Sequence, residues 1–234
     1  TAKKLRELFY SAFYVADHTV HFYILAAPDF VLGPDAPPAE RNILGVFRRL
    51  GTATTQRIVE CRMRNKDAVQ LLGGRRIHPA AGLPGGWSQP LTEEGRRTIE
   101  ATARANVDLA VGFLELFEKT VLSNREYRSL MVSEGFTDRT YSMGTVDAAG
   151  LLNLYDGLIR VVDPEGAELV RFRPADYEEH IAERVEPWTY VKFPYLKNVG
   201  WRGFVDGSAS GIYCASPLAR LNVADGLATP RAQE

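Results

Sequence analysis

Between Lys3 and about Ala27 the apolar residues Leu5, Leu8, Phe9, Ala12, Phe13, Ala16 and Val20 recur at steps of three and four, the period of a helix face rather than of a strand. The pattern predicts one helix that stops near Pro28, because the residue before a proline is pushed out of the α region. Gly33, Pro34, Pro37 and Pro38 then predict a loop. A second helical stretch runs from about Ala39 to Leu72 through Ile43, Val46, Phe47, Leu50, Ile58 and Val69, with its weak point at Gly51 and the neighbouring Thr52, Thr54 and Thr55. Residues 73–91 hold five glycines and three prolines and predict a structured loop. Thr92, followed by Glu93 and Glu94, is a good start for a third helix that reaches about Leu122.

Beyond Thr137 the period shortens. The runs TYSMGTVD, LLNLYDGLIRVVD and ELVRFR alternate, and Asp-Gly and Pro-Glu-Gly steps between them favour hairpins. Tyr177 to Glu186 reads as an acidic helix or turn, and aromatic residues and glycines dominate from Trp188 to Tyr213. The expected class is α+β, mainly α, with long helices and a small antiparallel β insertion. The expected division is a helical region over 1–136 containing the 73–91 loop, a β-rich insertion over 137–187, and a return segment of the same domain over 188–234.

Composition narrows the function. With 28 Lys+Arg against 29 Asp+Glu in 234 residues, bulk charge points neither to a nucleic-acid binder nor to an acidic tail. One local excess stands out: Arg41 to Arg76 holds nine basic residues against Glu60 and Asp67. It reads either as a solvated helix face or as a partner-subunit surface. No apolar run approaches the roughly 18 residues that would span a bilayer, so no membrane insertion is expected. The only cysteines, Cys61 and Cys214, have no CxxC spacing, which excludes a disulfide scaffold and fits a cytoplasmic compartment. The first residue is Thr1 rather than Met, from which a processed product or an excised piece is expected.

His18 and His21 stand three apart on the first helix beside Asp17, a spacing that can present two imidazoles to a metal. A third ligand is not specified, so hydrogen bonding within a core or to a neighbouring subunit competes with ligation. No GxSxG, HExxH or GxxxxGK[ST] sequence occurs. In IHPAAGLPGGWS, the His78-Pro79 step and the turn Pro84-Gly85-Gly86 let the backbone approach something closely and hold an imidazole rigidly. Pro217 fixes the chain just before Arg220, a permanent cation suited to a carboxylate or to a structural ion pair.

Five blocks in order, LRELFYSAFYVADHTVHFYILAAPDF, GGRRIHPAAGLPGGWS, LYDGLIRVVDPEG, VEPWTYVKFPYLK and SPLARLNVADG, resemble the large subunit of nickel-iron hydrogenases. The likeness is to the soluble multimeric branch with NAD-, deazaflavin-coenzyme- or viologen-reducing enzymes. The resemblance implies that large-subunit fold, reversible hydrogen oxidation at a nickel-iron centre with CO and cyanide ligands, and electrons passed to an iron-sulfur small subunit. Diaphorase or other electron-acceptor subunits are further implied partners, in a heteromultimer without nucleic acid.

Both CxxC pairs through which that family binds metal are missing from this sequence. The expectation is therefore a central segment, inactive alone, with no catalytic residue and no metal ligand of its own. The resemblance assigns His78, His18, His21 and Arg220 supporting or proton-path roles and gives Pro79, Pro84, Gly85 and Gly86 to a structural loop. Two other readings stay open: a cysteine-less homologue of the quinone-side subunit of complex I, acting as a binding and coupling module, and a non-catalytic split-gene scaffold.

Overall fold

The computed structural model describes residues 1–233, and the chain forms two units, Thr1–Ser133 and Glu134–Glu234. In the first, helix α1 (Ala2–Val20) runs into a widened π-helical turn (His21–Ala26) and on into α2 (Ala27–Leu32). The expected stop at Pro28 is corrected: the helix continues through it. Proline lacks only the donor that the second position of a new helical segment does not need, and Ala27 N–H has already switched to Phe22 O, an i→i+5 bond.

The weak point at Gly51 is a true break. Helix α3 (Ile43–Leu50) starts at Asn42, whose side chain accepts from Leu44 N and Gly45 N, and ends at Gly51 with φ 81°, a conformation that favours glycine. Helix α4 (Thr52–Gly73) closes on Gly74, left-handed with φ 80°, whose N–H donates to Gln70 O. Helix α5 (Glu93–Phe117) is capped by Thr92, which accepts from Gly95 N at 3.1 Å. It passes through a second π-helical turn (Glu118–Leu122) before α6 (Arg125–Met131). Ala12 of α1, Ala68, Val69 and Leu72 of α4 and Ile99 of α5 form the core of this unit, with Leu5, Leu8 and Phe9 packed against it. Removing Leu72 from water contributes about 1.5–3 kcal/mol, so this seam outweighs the exposed ion pairs along α5.

Residues 73–91 form a loop with one short hairpin, β1 (Gly82–Leu83) and β2 (Gly86–Trp87), turning at Pro84-Gly85 with Gly85 at φ 75°. Two long-range bonds tie it down: Trp87 Nε1 donates to Leu72 O at 2.9 Å, and Arg6 donates to Gly86 O at 3.1 Å.

In the second unit a four-stranded sheet has the order β5-β4-β3-β8. Its strands are β3 (Tyr141–Val146), β4 (Leu158–Val162), β5 (Glu168–Phe172) and β8 (Tyr213–Cys214). Alternation divides its faces. Tyr141, Met143, Val161 and Phe172 join Leu196 in one cluster, while Val146 and Val162 pack on Val223 of α8 (Pro217–Val223). A Cβ on Gly144 of β3 would lie 2.7 Å from Val223 and 3.2 Å from the Cα of Arg220, so glycine there lets α8 approach.

The wholly antiparallel sheet expected from the hairpin signals is corrected at one edge, where β8 pairs parallel with β3. The acidic stretch is also corrected: α7 (Tyr177–His180) is a single turn, and β6 (Ile181–Val185) follows as a strand pairing antiparallel with β7 (Lys192–Leu196). Lys192 bridges Glu183 across this ribbon at 2.7 Å. Helix α9 (Pro230–Gln233) ends the described residues.

Candidate functional site

His78 is the only non-glycine among the described residues with positive φ, at 52°, an uncommon state for which histidine is nonetheless enriched. The loop is pinned on either side of it. Arg76 reaches back to Gln70 Oε1 at 3.0 Å and pairs with Asp67. Ala80 N–H donates to Gly73 O at 3.0 Å, and a Cβ on Gly73 would stand 2.5 Å from Pro79. Pro79 therefore sits against glycine because a side chain there would push the loop away.

The result is a cleft of 440 Å³ between α1, α4 and the loop. Phe13, Val20, Val69, Ile77 and Pro79 give it apolar walls; Arg62, Lys66, Arg76 and His78 also line it, with Asp17 on the α1 side. Lys66 is half-buried.

Of the residues singled out in the sequence, His78 and Pro79 line this cleft, whereas Pro84, Gly85 and Gly86 make the hairpin beyond it. His18 and His21 are exposed; His18 Nδ1–H donates to Tyr14 O at 2.9 Å. That bond fixes the Nδ1–H tautomer, and no group of three or more His, Cys, Asp or Glu among the described residues gathers around the ring's other nitrogen. Arg220 belongs to the second unit, partly buried in the last turn of α8. Arg62 and Lys66 escaped notice individually, although the basic excess from Arg41 to Arg76 pointed to their helix. His180, also unremarked, stacks on Phe172 with centroids 4.1 Å apart.

A second polar group lies among the helices. Asn65 and Asn106 exchange two side-chain bonds of 3.0 Å each, and the Cys61 thiol donates to Asn106 Oδ1 at 3.3 Å. Burial pushes this thiol above its ordinary range, with bonds to Thr19 and Asn65 opposing. Cys61 is thus a packed, protonated thiol rather than a reactive one. Cys214, in the other unit, donates to Ser216 Oγ at 3.1 Å.

These donor sets do not fit a metal cluster. Nickel-iron and iron-sulfur centres alike rest on several thiolates, the chain has two cysteines, one in each unit, and no group of three or more His, Cys, Asp or Glu among the described residues could hold an ion.

No family model matches the chain. It is 45% identical over 234 residues to an iron-sulfur subunit of the F420-non-reducing hydrogenase of Archaeoglobus profundus, all of this chain against 48% of that protein. It is 42% identical over 233 residues to a vhu subunit of the F420-non-reducing hydrogenase of Methanocaldococcus jannaschii, 53% of whose length it covers. The beta subunit of the NAD-reducing hydrogenase HoxS of Cupriavidus necator is 31% identical over 245 residues, with 47% covered. Among solved structures, a chain of an NAD+-reducing nickel-iron hydrogenase in its H2-reduced state matches with TM-score 0.83 and 31% identity, over 99% of this chain and 49% of that one. The chain spans about half the length of the relatives it matches.

These findings correct the resemblance. The mixed helix-and-strand fold is that of a hydrogenase subunit, but the assignment to the nickel-binding large subunit does not stand, because the 45% identical relative is named an iron-sulfur subunit. The expected nickel-iron centre with CO and cyanide falls with it; the metal in the name of the solved enzyme does not assign that metal to the matched chain. The iron-sulfur subunit expected as a partner is instead what a relative of this chain is called. Neither the complex I module nor the split-gene scaffold gains from relatives that are named as hydrogenase subunits.

Proposed function

We propose that the chain works inside a multi-subunit hydrogenase as a folded part of one subunit, with hydrogen turnover performed by the assembled enzyme. One observation carries this reading: 99% of the chain aligns with a single chain of an NAD+-reducing nickel-iron hydrogenase at TM-score 0.83. Identities of 31–45% to hydrogenase subunits of archaea and a bacterium support it. His78, held in a strained backbone state by a pinned loop, is the residue of this segment assigned to proton handling or to orienting its surroundings. His18, His21 and Arg220 serve as packing or pairing positions. Electron-acceptor subunits are the partners and the cytoplasm the location; among the described residues no helix is long and apolar enough to cross a membrane.

The test is to tag the protein in its own cells, purify it with its partners, and measure hydrogen-dependent reduction of a viologen dye. Activity that copurifies with the tag supports the proposal. A purified assembly with no such activity while the untagged extract retains it would overturn it.

A further inference from the structure

The cleft beside His78 also holds two cations, Arg62 and Lys66, to which the proposed function gives no role. We infer that it is a binding site for a small organic carboxylate carried on an apolar body. Arg62 and Lys66 stand four residues apart on α4, so they project from one face, and both line the cleft. Neither side chain has a hydrogen bond or ion pair among the described residues. Lys66 is half-buried and its ammonium has three donors to place, which an anion in the cleft would accept.

The surrounding charges set the ligand's orientation. Arg76 is held on Asp67 and Gln70 and keeps part of its guanidinium fork for a further acceptor. Asp17 lines the α1 side, so the carboxylate must lie toward α4 and the loop. His78, with no bonded partner of its own among the described residues, stands at the rim as an additional donor.

The apolar walls decide between anions. Phosphate would satisfy Arg62 and Lys66 yet leave Phe13, Ile77 and Pro79 facing water. A carboxylate on a hydrocarbon body covers both. The volume of 440 Å³ suits a small molecule, since such sites run from about 300 to 1,000 Å³. The loop is fixed by Gly73, Pro79 and Arg76 before anything binds, so little ordering cost falls on the ligand.

The test uses the purified 234-residue chain and 3-phenylpropionate as probe, followed by two-dimensional NMR and calorimetry. Saturable one-to-one binding with shifts in Lys66, Val69 and His78 is expected, and 3-phenylpropionamide should bind about tenfold more weakly because it loses a charge-assisted hydrogen bond. Lys66→Met and Arg62→Gln should each weaken the acid about tenfold. Arg64→Met, whose guanidinium pairs with Glu60 outside the cleft, should not. Equal binding of acid and amide, full displacement by equimolar phosphate, or wild-type affinity in folded Lys66→Met and Arg62→Gln would each overturn the site. Because it is read on the chain alone, this result is separable from the hydrogenase assay.

Discussion

Asn65 is completely buried, and its amide is satisfied by Asn106 and by Cys61 O at 2.8 Å. Replacing it by alanine removes the bonds and leaves the Asn106 amide with an unpaired side. Asn65→Ala is therefore expected to lower unfolding free energy by about 1–3 kcal/mol, read as a shift of the urea midpoint. Tyr23, 2% exposed, supplies a pH dependence. Burial pushes its phenol well above the ordinary 10.0, with Arg57 opposing and Cys61 adding. The unfolded chain ionises first, so this contribution is intact below pH 10 and is lost as the pH climbs from there toward the folded value. Urea midpoints should hold to about pH 9 and fall beyond about 10, and Tyr23→Phe should remove up to about 1.4 kcal/mol of that fall per pH unit. A profile unchanged by the substitution would mean that Tyr141 and Tyr213, whose phenols burial also raises, account for the loss.

At the scale of elements, what the sequence made legible was whatever is decided locally. Thr92 with Glu93 and Glu94 caps a helix through its own hydroxyl and the dipole, and Gly51 breaks one through its own φ. Two features depended on distant chain. Ile181 to Val185 looks like acidic helix until Lys192–Leu196 arrives to pair with it, and the parallel edge strand needs a partner far away along the chain. Pro28 misled for a subtler reason: the helix relaxes around it through a widened turn, which no residue pattern announces. The candidate cleft was half legible. His78 and Pro79 stood out as a rigid step, whereas Arg62 and Lys66 became distinct from the other basic residues of α4 only once α1 and the loop closed over that face.

For the whole molecule, the pairing of Tyr141 with Tyr213 and of Ser142 with Cys214 has a consequence in time. The sheet cannot be completed until about 70 intervening residues have been made and gathered, and contacts so far apart in sequence slow folding. Helices α4 and α5, whose backbone bonds close within a turn, face no such delay. During refolding from denaturant, pulse-labelled amides of those two helices should gain protection before those of β3 and β8, and simultaneous protection would refute the order. Synthesis would run the same way, with the helical unit already taking shape while the β3 edge waits for its late partner. In that interval the Tyr141, Met143 and Val161 face is incompletely covered, and this is when a nascent chain of this kind has most need of a chaperone.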